Sequence, residues 1–180
     1  MDRQSLDTYE IVVSEAQVRE RIVELGRQIS HDYQGRVVNC VGVMEDGFLF
    51  VADLVREITC DVRCQFITPF IREVFDHERA TTEIHYAPEL NVQDQHVLLC
   101  VGIVSTGLTI DFLIRNLQAR GAASIAICGL LERPSDRRVS LDIAYCGFQL
   151  GPQWVAGFGL GTPTLSRNLP FIFAAHNLHG

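Results

Sequence analysis

The segment Ser105-Thr106-Gly107-Leu108-Thr109 gathers residues whose types and spacing suit one chemistry. It follows a buried apolar run, contains a glycine that lets backbone approach a ligand closely, and opens a helical pattern. Free N–H groups at a helix N-terminus, reinforced by the helix dipole, form an anion site. The hydroxyls of Ser105, Thr106 and Thr109 add donors without charge. The set suits a phosphate monoester. It also suits an ordinary capped turn, because Ser and Thr are favoured there. The loop alone leaves both readings open.

Other chemistries are excluded or weakened by composition. All 15 basic residues of the 180 are arginine, so the chain has no lysine. A Walker-type phosphate loop and Schiff-base catalysis both need one. The six cysteines, Cys40, Cys60, Cys64, Cys100, Cys128 and Cys146, contain no Cys-x-x-Cys pair. Four of them (Cys40, Cys100, Cys128 and Cys146) lie in apolar, strand-like runs, where a thiol acts as a small buried hydrophobe rather than a zinc ligand. His77, His85 and His96 lie in or beside a polar excursion and read as solvated. Asp53 and Asp111 read as helix residues, and Arg137 and Arg138 as a solvated turn. The net charge of −7 argues against nucleic acid as a partner. The longest apolar run, Val97 to Val104, is too short to span a membrane, and the first residues lack a signal-peptide pattern. A cytoplasmic location is expected.

The elements that must position the loop follow from periodicity. Ser14-Glu15-Ala16-Gln17 is a capping box ahead of Val18, Ile22, Leu25 and Ile29 at helical spacing, predicting a helix over 15–33. Strands are predicted over 36–43, 62–69, 95–103, 124–131, 141–149 and 154–160, with a short last one within 167–175. Helices are predicted over 48–58 and 108–120, and Arg133-Pro134-Ser135-Asp136 reads as a turn. Residues 71–94 form a polar excursion, read as an extended hairpin ending near Ile84-His85-Tyr86 that serves either as a lid or as a simple insertion. Alternating strands and helices predict an α/β domain with a mostly parallel sheet flanked by helices. No linker divides residues 1–180, so one domain is expected.

More of the chain resembles a known family. The strand–Thr-Gly-Leu-Thr–helix unit resembles the phosphoribosyl-diphosphate (PRPP) loop of the type I phosphoribosyltransferases. Val41 to Leu54 is similar to the first strand, pyrophosphate loop and helix of the hypoxanthine-guanine branch. Leu130-Leu131-Glu132-Arg133-Pro134 resembles its purine-reading segment. Gly147-Phe148 and Trp154 to Leu160 resemble the hood over the base, and Arg167-Asn168-Leu169-Pro170 its closing segment. The likeness runs from about residue 10 to 175. It implies the type I phosphoribosyltransferase fold, with a small hood from about 147–175 plus the N-terminal segment, and a flexible lid over about 71–94. It places phosphate on Ser105, Thr106, Gly107, Leu108 and Thr109. It places the purine on Arg133, Trp154 and Val155, and pyrophosphate beside Glu45, Asp46 and Arg167.

The same likeness exposes departures. The two acids that hold the ribose hydroxyls and position Mg²⁺ align with Val101 and Gly102. The aspartate near the purine N7 aligns with Ser105, and the acid for a second Mg²⁺ with Gly161. Glu45 stands where lysine is frequent, and Asp46 follows it. The Ser-Tyr pair expected at the start of the lid is Ile71-Arg72. Mg²⁺ needs oxygen ligands, so we expect no metal and no cofactor, with Mg²⁺ required only if the protein is active. The resulting expectation is a catalytically impaired homologue that binds a purine nucleotide (GMP or IMP) or phosphate. It would serve as a regulatory or hetero-oligomeric partner of an active paralogue, or as a homo-oligomer. The alternative is an active salvage enzyme that converts hypoxanthine or guanine plus PRPP to IMP or GMP plus pyrophosphate. A third, weaker reading is a structural scaffold.

Overall fold

Ser14 ends an extended stretch and starts a helix because it satisfies two otherwise orphaned N–H groups. Its hydroxyl accepts from the Gln17 N–H, and the Gln17 side chain accepts from the Ser14 N–H. The helix that follows, α1 (Glu15–Asp32), buries Val18, Ile22, Leu25 and Ile29 along one stripe. It lies against α2 (Phe48–Glu57). A Cβ at Gly26 would fall 2.5 Å from the Glu57 Cβ, so glycine sets how closely the two helices approach. The computed structural model describes residues 10–76, 79–85, 90–161 and 166–174, with side chains described outside 70–89.

The remaining elements are β1 (Ile11–Val13), β2 (Val38–Val43), β3 (Val62–Ile67), β4 (Phe70–Asp76), β5 (Arg79–His85), β6 (His96–Val104), α3 (Leu108–Ala119), β7 (Ser124–Glu132), β8 (Tyr145–Gln149), β9 (Val155–Ala156) and β10 (Ile172–Ala174). Five strands form the central sheet in the order β3-β2-β6-β7-β8, every pair parallel. Successive side chains of a strand face opposite ways. On β6, Leu98 and Cys100 therefore join α1 and α2, while Val97, Leu99 and Val101 join Ile110, Leu113 and Leu117 of α3. Burial on both faces explains why this run is apolar throughout rather than alternating. The α/β architecture with a parallel sheet flanked by helices agrees with the expectation from sequence.

Two predicted strands are shorter than their patterns. Within 141–149 only Tyr145–Gln149 pairs, because β7 offers its edge from Cys128 onward. Leu141 and Ile143 instead pack against the core on the α3 side. Within 154–160 only Val155–Ala156 is strand. Gly157, Phe158 and Gly159 all take positive φ and turn the chain, closed by a bridge between Gly157 and Leu160. β9 pairs with β10, and β10 with β1, in a small antiparallel sheet apart from the main one. Gly147, Phe148 and Gln149 belong to β8 and the main sheet.

The excursion is a two-stranded antiparallel pair, β4 with β5, Phe70 opposite His85. His77 and Tyr86 lie outside the described residues, as do the side chains of Ile71, Arg72, Ile84 and His85. Cys40, Cys100 and Cys128 are buried as expected, whereas Cys146 is half-buried and Cys64, on β3, is exposed. His96 is half-buried and its ring nitrogen pairs with the Ser124 hydroxyl at 2.8 Å. Asp53 and Asp111 are helix residues paired with Arg56 and Arg115. Among the described residues no helix is long and apolar enough to cross a membrane.

Candidate functional site

The carboxyl ends of β2, β6 and β7 face the same side, where ligands sit in open parallel sheets. β6 ends at Val104, and the chain turns through Ser105, Thr106 and Gly107 into α3. Gly107 is the N-cap, with φ 82° and ψ −8° and no side chain capping the helix. A Cβ there would lie 2.8 Å from Leu141 Cδ1 and 2.9 Å from Val139 Cγ2. Glycine is therefore required twice, by backbone conformation and by space. Gly107 supplies no side-chain cap, and the Leu108 N–H donates to Thr106 Oγ1 at a long 3.5 Å, which leaves the start of α3 open to an anion. Thr106 is held from behind by the Arg138 N–H donating to its carbonyl at 3.0 Å. Leu108 points outward and is 47% exposed. A cavity of about 320 Å³ opens here, lined by Val43, Asp46, Val101, Gly102, Ser105 and Thr106 among others.

Ser105 departs from its expected part. Its hydroxyl donates to Asp136 Oδ2 at 3.0 Å. With its one proton given to a carboxylate, it offers lone pairs rather than a donor to the cavity. Thr106 and Thr109 remain as the hydroxyl donors of the loop.

On the opposite side, Glu45 and Asp46 form the turn between β2 and α2, following a cis Met44–Glu45 peptide. Arg167 reaches both: Nη2 lies 3.1 Å from Asp46 Oδ1 and 3.6 Å from Glu45 Oε2, and it donates to the Gly161 carbonyl at 3.0 Å. The three residues predicted for this side are thus brought together, with one another as partners. Burial pushes the Asp46 carboxyl above its ordinary value; Arg167 pulls it back and Glu45 raises it further. The Asp46 carbonyl also fills the space beside Gly102, where a Cβ would lie only 2.5 Å away. That position accepts no larger residue while the turn keeps this course.

The third side is formed by the end of β7 and the turn after it. Arg133 is buried, and its guanidinium carbon lies 5.3 Å from the centre of the Trp154 ring. Cation–π stacking on one ring face accounts for that placement. Arg133 Nη2 donates to the Gln153 carbonyl at 2.6 Å, and Nη1 lies 3.7 Å from Asp136. Its Nε is buried without a hydrogen-bond partner. Trp154 is 63% exposed, so much of the indole is open. The Val155 side chain is buried in the core beside α1 and α2. Arg137 is not the solvated turn residue expected: it is largely buried and donates to Glu132 Oε1 at 2.7 Å. Burial pushes the nearby Cys146 thiol up to about 11, and Glu132 adds to the rise. Sequence reasoning missed Asp136 and the Glu132–Arg137 pair. Asp136 and Ser105 are 31 residues apart, and only the pairing of β6 with β7 brings their loops together.

A divalent cation needs several oxygens. Val101 is apolar, Gly102 and Gly161 have no side chain, and Asp46 is paired with Arg167. Among the described residues no group of three His, Cys, Asp or Glu side chains comes together to hold a metal. These residues do not fit Mg²⁺.

Residues 10–162 match the model of the phosphoribosyl transferase domain family. Hypoxanthine phosphoribosyltransferase of Haemophilus influenzae is 32% identical over 166 residues, covering 91% of this chain and 93% of the relative. That of Escherichia coli is 32% identical over 170 residues, covering 92% and 94%. The crystal structure of a hypoxanthine-guanine phosphoribosyltransferase from Bacillus anthracis superposes with a TM-score of 0.79 at 30% identity, covering 92% of this chain and 95% of that one. Likeness of this length, in sequence and in fold alike, spans the loop, the sheet that carries it and the strands beside it, and the chain belongs to the hypoxanthine-guanine branch of the type I phosphoribosyltransferases.

Proposed function

We propose that this phosphoribosyltransferase homologue binds a purine nucleotide, GMP or IMP, or inorganic phosphate, and is catalytically impaired. The phosphate sits on the backbone of residues 105–109 with Thr106 and Thr109 donating, and the base lies against Trp154 beside Arg133. The observation that carries the reading is the pairing of Arg167 with Asp46 at 3.1 Å and Glu45 at 3.6 Å. Two carboxylates stand on the one arginine that the family likeness assigns to pyrophosphate, as the oxygens of a pyrophosphate would. Bound PRPP would have to displace them and face their charge. The blocked Cβ direction at Gly102 supports the same reading, since no acid fits there. Loss of groups that act together in a transition state costs orders of magnitude in rate.

A protein of this kind serves as the regulatory or hetero-oligomeric partner of an active paralogue, or assembles with itself. Two measurements test the binding and the impairment. Calorimetry with GMP, IMP and phosphate is expected to show saturable binding; absence of heat at millimolar ligand overturns it. A radiolabelled hypoxanthine assay with PRPP and Mg²⁺ is expected to show no conversion. Turnover of about one per second or faster would establish the alternative, an active purine salvage enzyme that uses Mg²⁺. Co-purification with a paralogue that keeps its acids tests the partnership.

A further inference from the structure

Away from the cleft, near the amino ends of β2, β3 and β6, three side-chain amides form a chain across the strands. Gln65 Nε2 donates to Asn39 Oδ1 at 2.8 Å, and Asn39 Nδ2 donates to Gln95 Oε1 at 2.9 Å. Asn39 is only 1% exposed, and a polar group that deep is held by its hydrogen bonds. The chain therefore has one direction, each amide giving N–H to the next. It ends on the Gln95 NH2 group, which has no hydrogen-bond acceptor among the described residues.

A cavity of about 350 Å³ opens beside this chain, within the range of small-molecule sites, roughly 300–1,000 Å³. Arg63 is in register with Asn39 across β2 and β3, so the two side chains share one face of the sheet. Arg36, in the bend ahead of β2, lines the same cavity. Exposed arginines on the helices, Arg19, Arg56 and Arg115, each pair with a carboxylate. Arg36 and Arg63 have none within ion-pairing reach among the described residues. The chain carries a net charge of −7, so two unpaired arginines in one cavity do not reflect a shortage of acids. Asp94 is the one acid among the described lining residues, and Val37, 42% exposed, gives the cavity an apolar wall. Two guanidinium groups and an amide donor thus face a single carboxylate. That balance suits a doubly charged anion, and the guanidinium fork matches the oxygens of phosphate.

We propose that this cavity is a second anion site, which takes a phosphate dianion, free or as the phosphate of a small ester, between Arg36 and Arg63. The proposal does not rest on the reading of the cleft. β6 runs from His96 to Val104, which sets the cavity roughly 25 Å from the turn at Thr106 and Gly107.

His96 gives a local reporter. It lines the cavity, and its ring is fixed by the Ser124 hydroxyl and by edge contact with Tyr33. The full chain is titrated with inorganic phosphate at fixed pH and ionic strength, and the His96 ring resonance, assigned with His96→Gln, is followed by NMR. A saturable shift is expected at about millimolar phosphate, the strength of two charge-assisted contacts. Sulfate should act alike, and acetate should need at least about tenfold more, since it carries one charge. Arg36→Gln and Arg63→Gln are each expected to weaken the response about tenfold, and the double variant to abolish it. Both side chains are exposed, and circular dichroism checks that the variants fold. Glycerol 3-phosphate tells the two sources apart: tighter binding than phosphate identifies an ester, and equal or weaker binding identifies free phosphate. Thr106→Val, in the cleft, should leave the His96 response unchanged. No saturable shift, an equal response to acetate or chloride, an unchanged response in the double variant, or its loss in Thr106→Val overturns the proposal. None of these outcomes decides whether the cleft binds a nucleotide, which calorimetry of the double variant with GMP measures separately.

Discussion

The two ends of the cleft are built from different parts of the chain. At the end proposed to take phosphate the groups on offer are backbone N–H groups, set by the φ of Gly107 and the start of α3. At the end that the family likeness assigns to pyrophosphate they are side chains, Glu45, Asp46 and Arg167, and these pair with one another. A site made of backbone tolerates most substitutions, because its donors do not depend on residue type. A site made of side chains changes sign with a single residue.

Breaking the phosphate end is expected to have the largest effect. Gly107→Val places a β-branched side chain at φ 82° and against Leu141 and Val139. We expect loss of nucleotide and phosphate binding by calorimetry, with a destabilisation of about 1–3 kcal/mol in thermal unfolding. Unchanged phosphate affinity would remove the loop from the binding site.

Next comes repair of the other end. The double variant Glu45→Gln, Asp46→Gly removes the Glu45 and Asp46 carboxylates from beside Arg167. Pyrophosphate affinity is expected to rise about tenfold, as charge-assisted pairing with the guanidinium and loss of two repelling carboxylates allow, while phosphate monoester affinity changes little. An equal gain for both ligands would mean that the two ends are not separate.

Trp154→Ala isolates the base. Stacking on an aromatic ring contributes roughly 1–3 kcal/mol per base, so GMP should weaken by at least about fivefold. Inorganic phosphate should bind as before. Parallel weakening of both ligands would place Trp154 in the fold rather than the site.

The smallest effect concerns pH. The Asp46 carboxyl is raised in the folded protein, chiefly by burial. The folded chain therefore holds that proton more tightly than the unfolded chain, and stability falls as pH rises through the folded value. Asp46→Asn removes the titration. Its stability relative to wild type should grow as pH goes from about 4 to about 7, measured by denaturant midpoints. A relative stability that is flat or reversed across that range would show that Arg167 outweighs burial.

Much of this was legible in the sequence. The capping box at Ser14, the apolar stripe of α1, the Thr-Gly-Leu-Thr turn and Gly121, with φ +80°, near the end of α3 are local signals, and local hydrogen bonding realises each one. The predicted strands over 141–149 and 154–160 were too long, because a strand needs a neighbour and three successive positive-φ residues turn the chain out of the extended form. The parts of the cleft were legible as residue types through a family likeness. Which of them pair was not.

By itself the sequence determined the alternation of strands and helices, the place of the Thr-Gly-Leu-Thr turn at a strand end and the residue types Val101, Gly102, Ser105 and Gly161, none of them acidic. These depend on residue type, spacing and order alone. Only the tertiary structure decided that Arg167 meets Glu45 and Asp46, that the Asp46 carbonyl closes the space beside Gly102, and that Asp136 takes the Ser105 proton. Each of these joins residues from separate segments of the chain. Their partners are set by the parallel pairing of β2, β6 and β7 and by the turn that carries Arg167 back over the cleft, and no local pattern encodes that meeting.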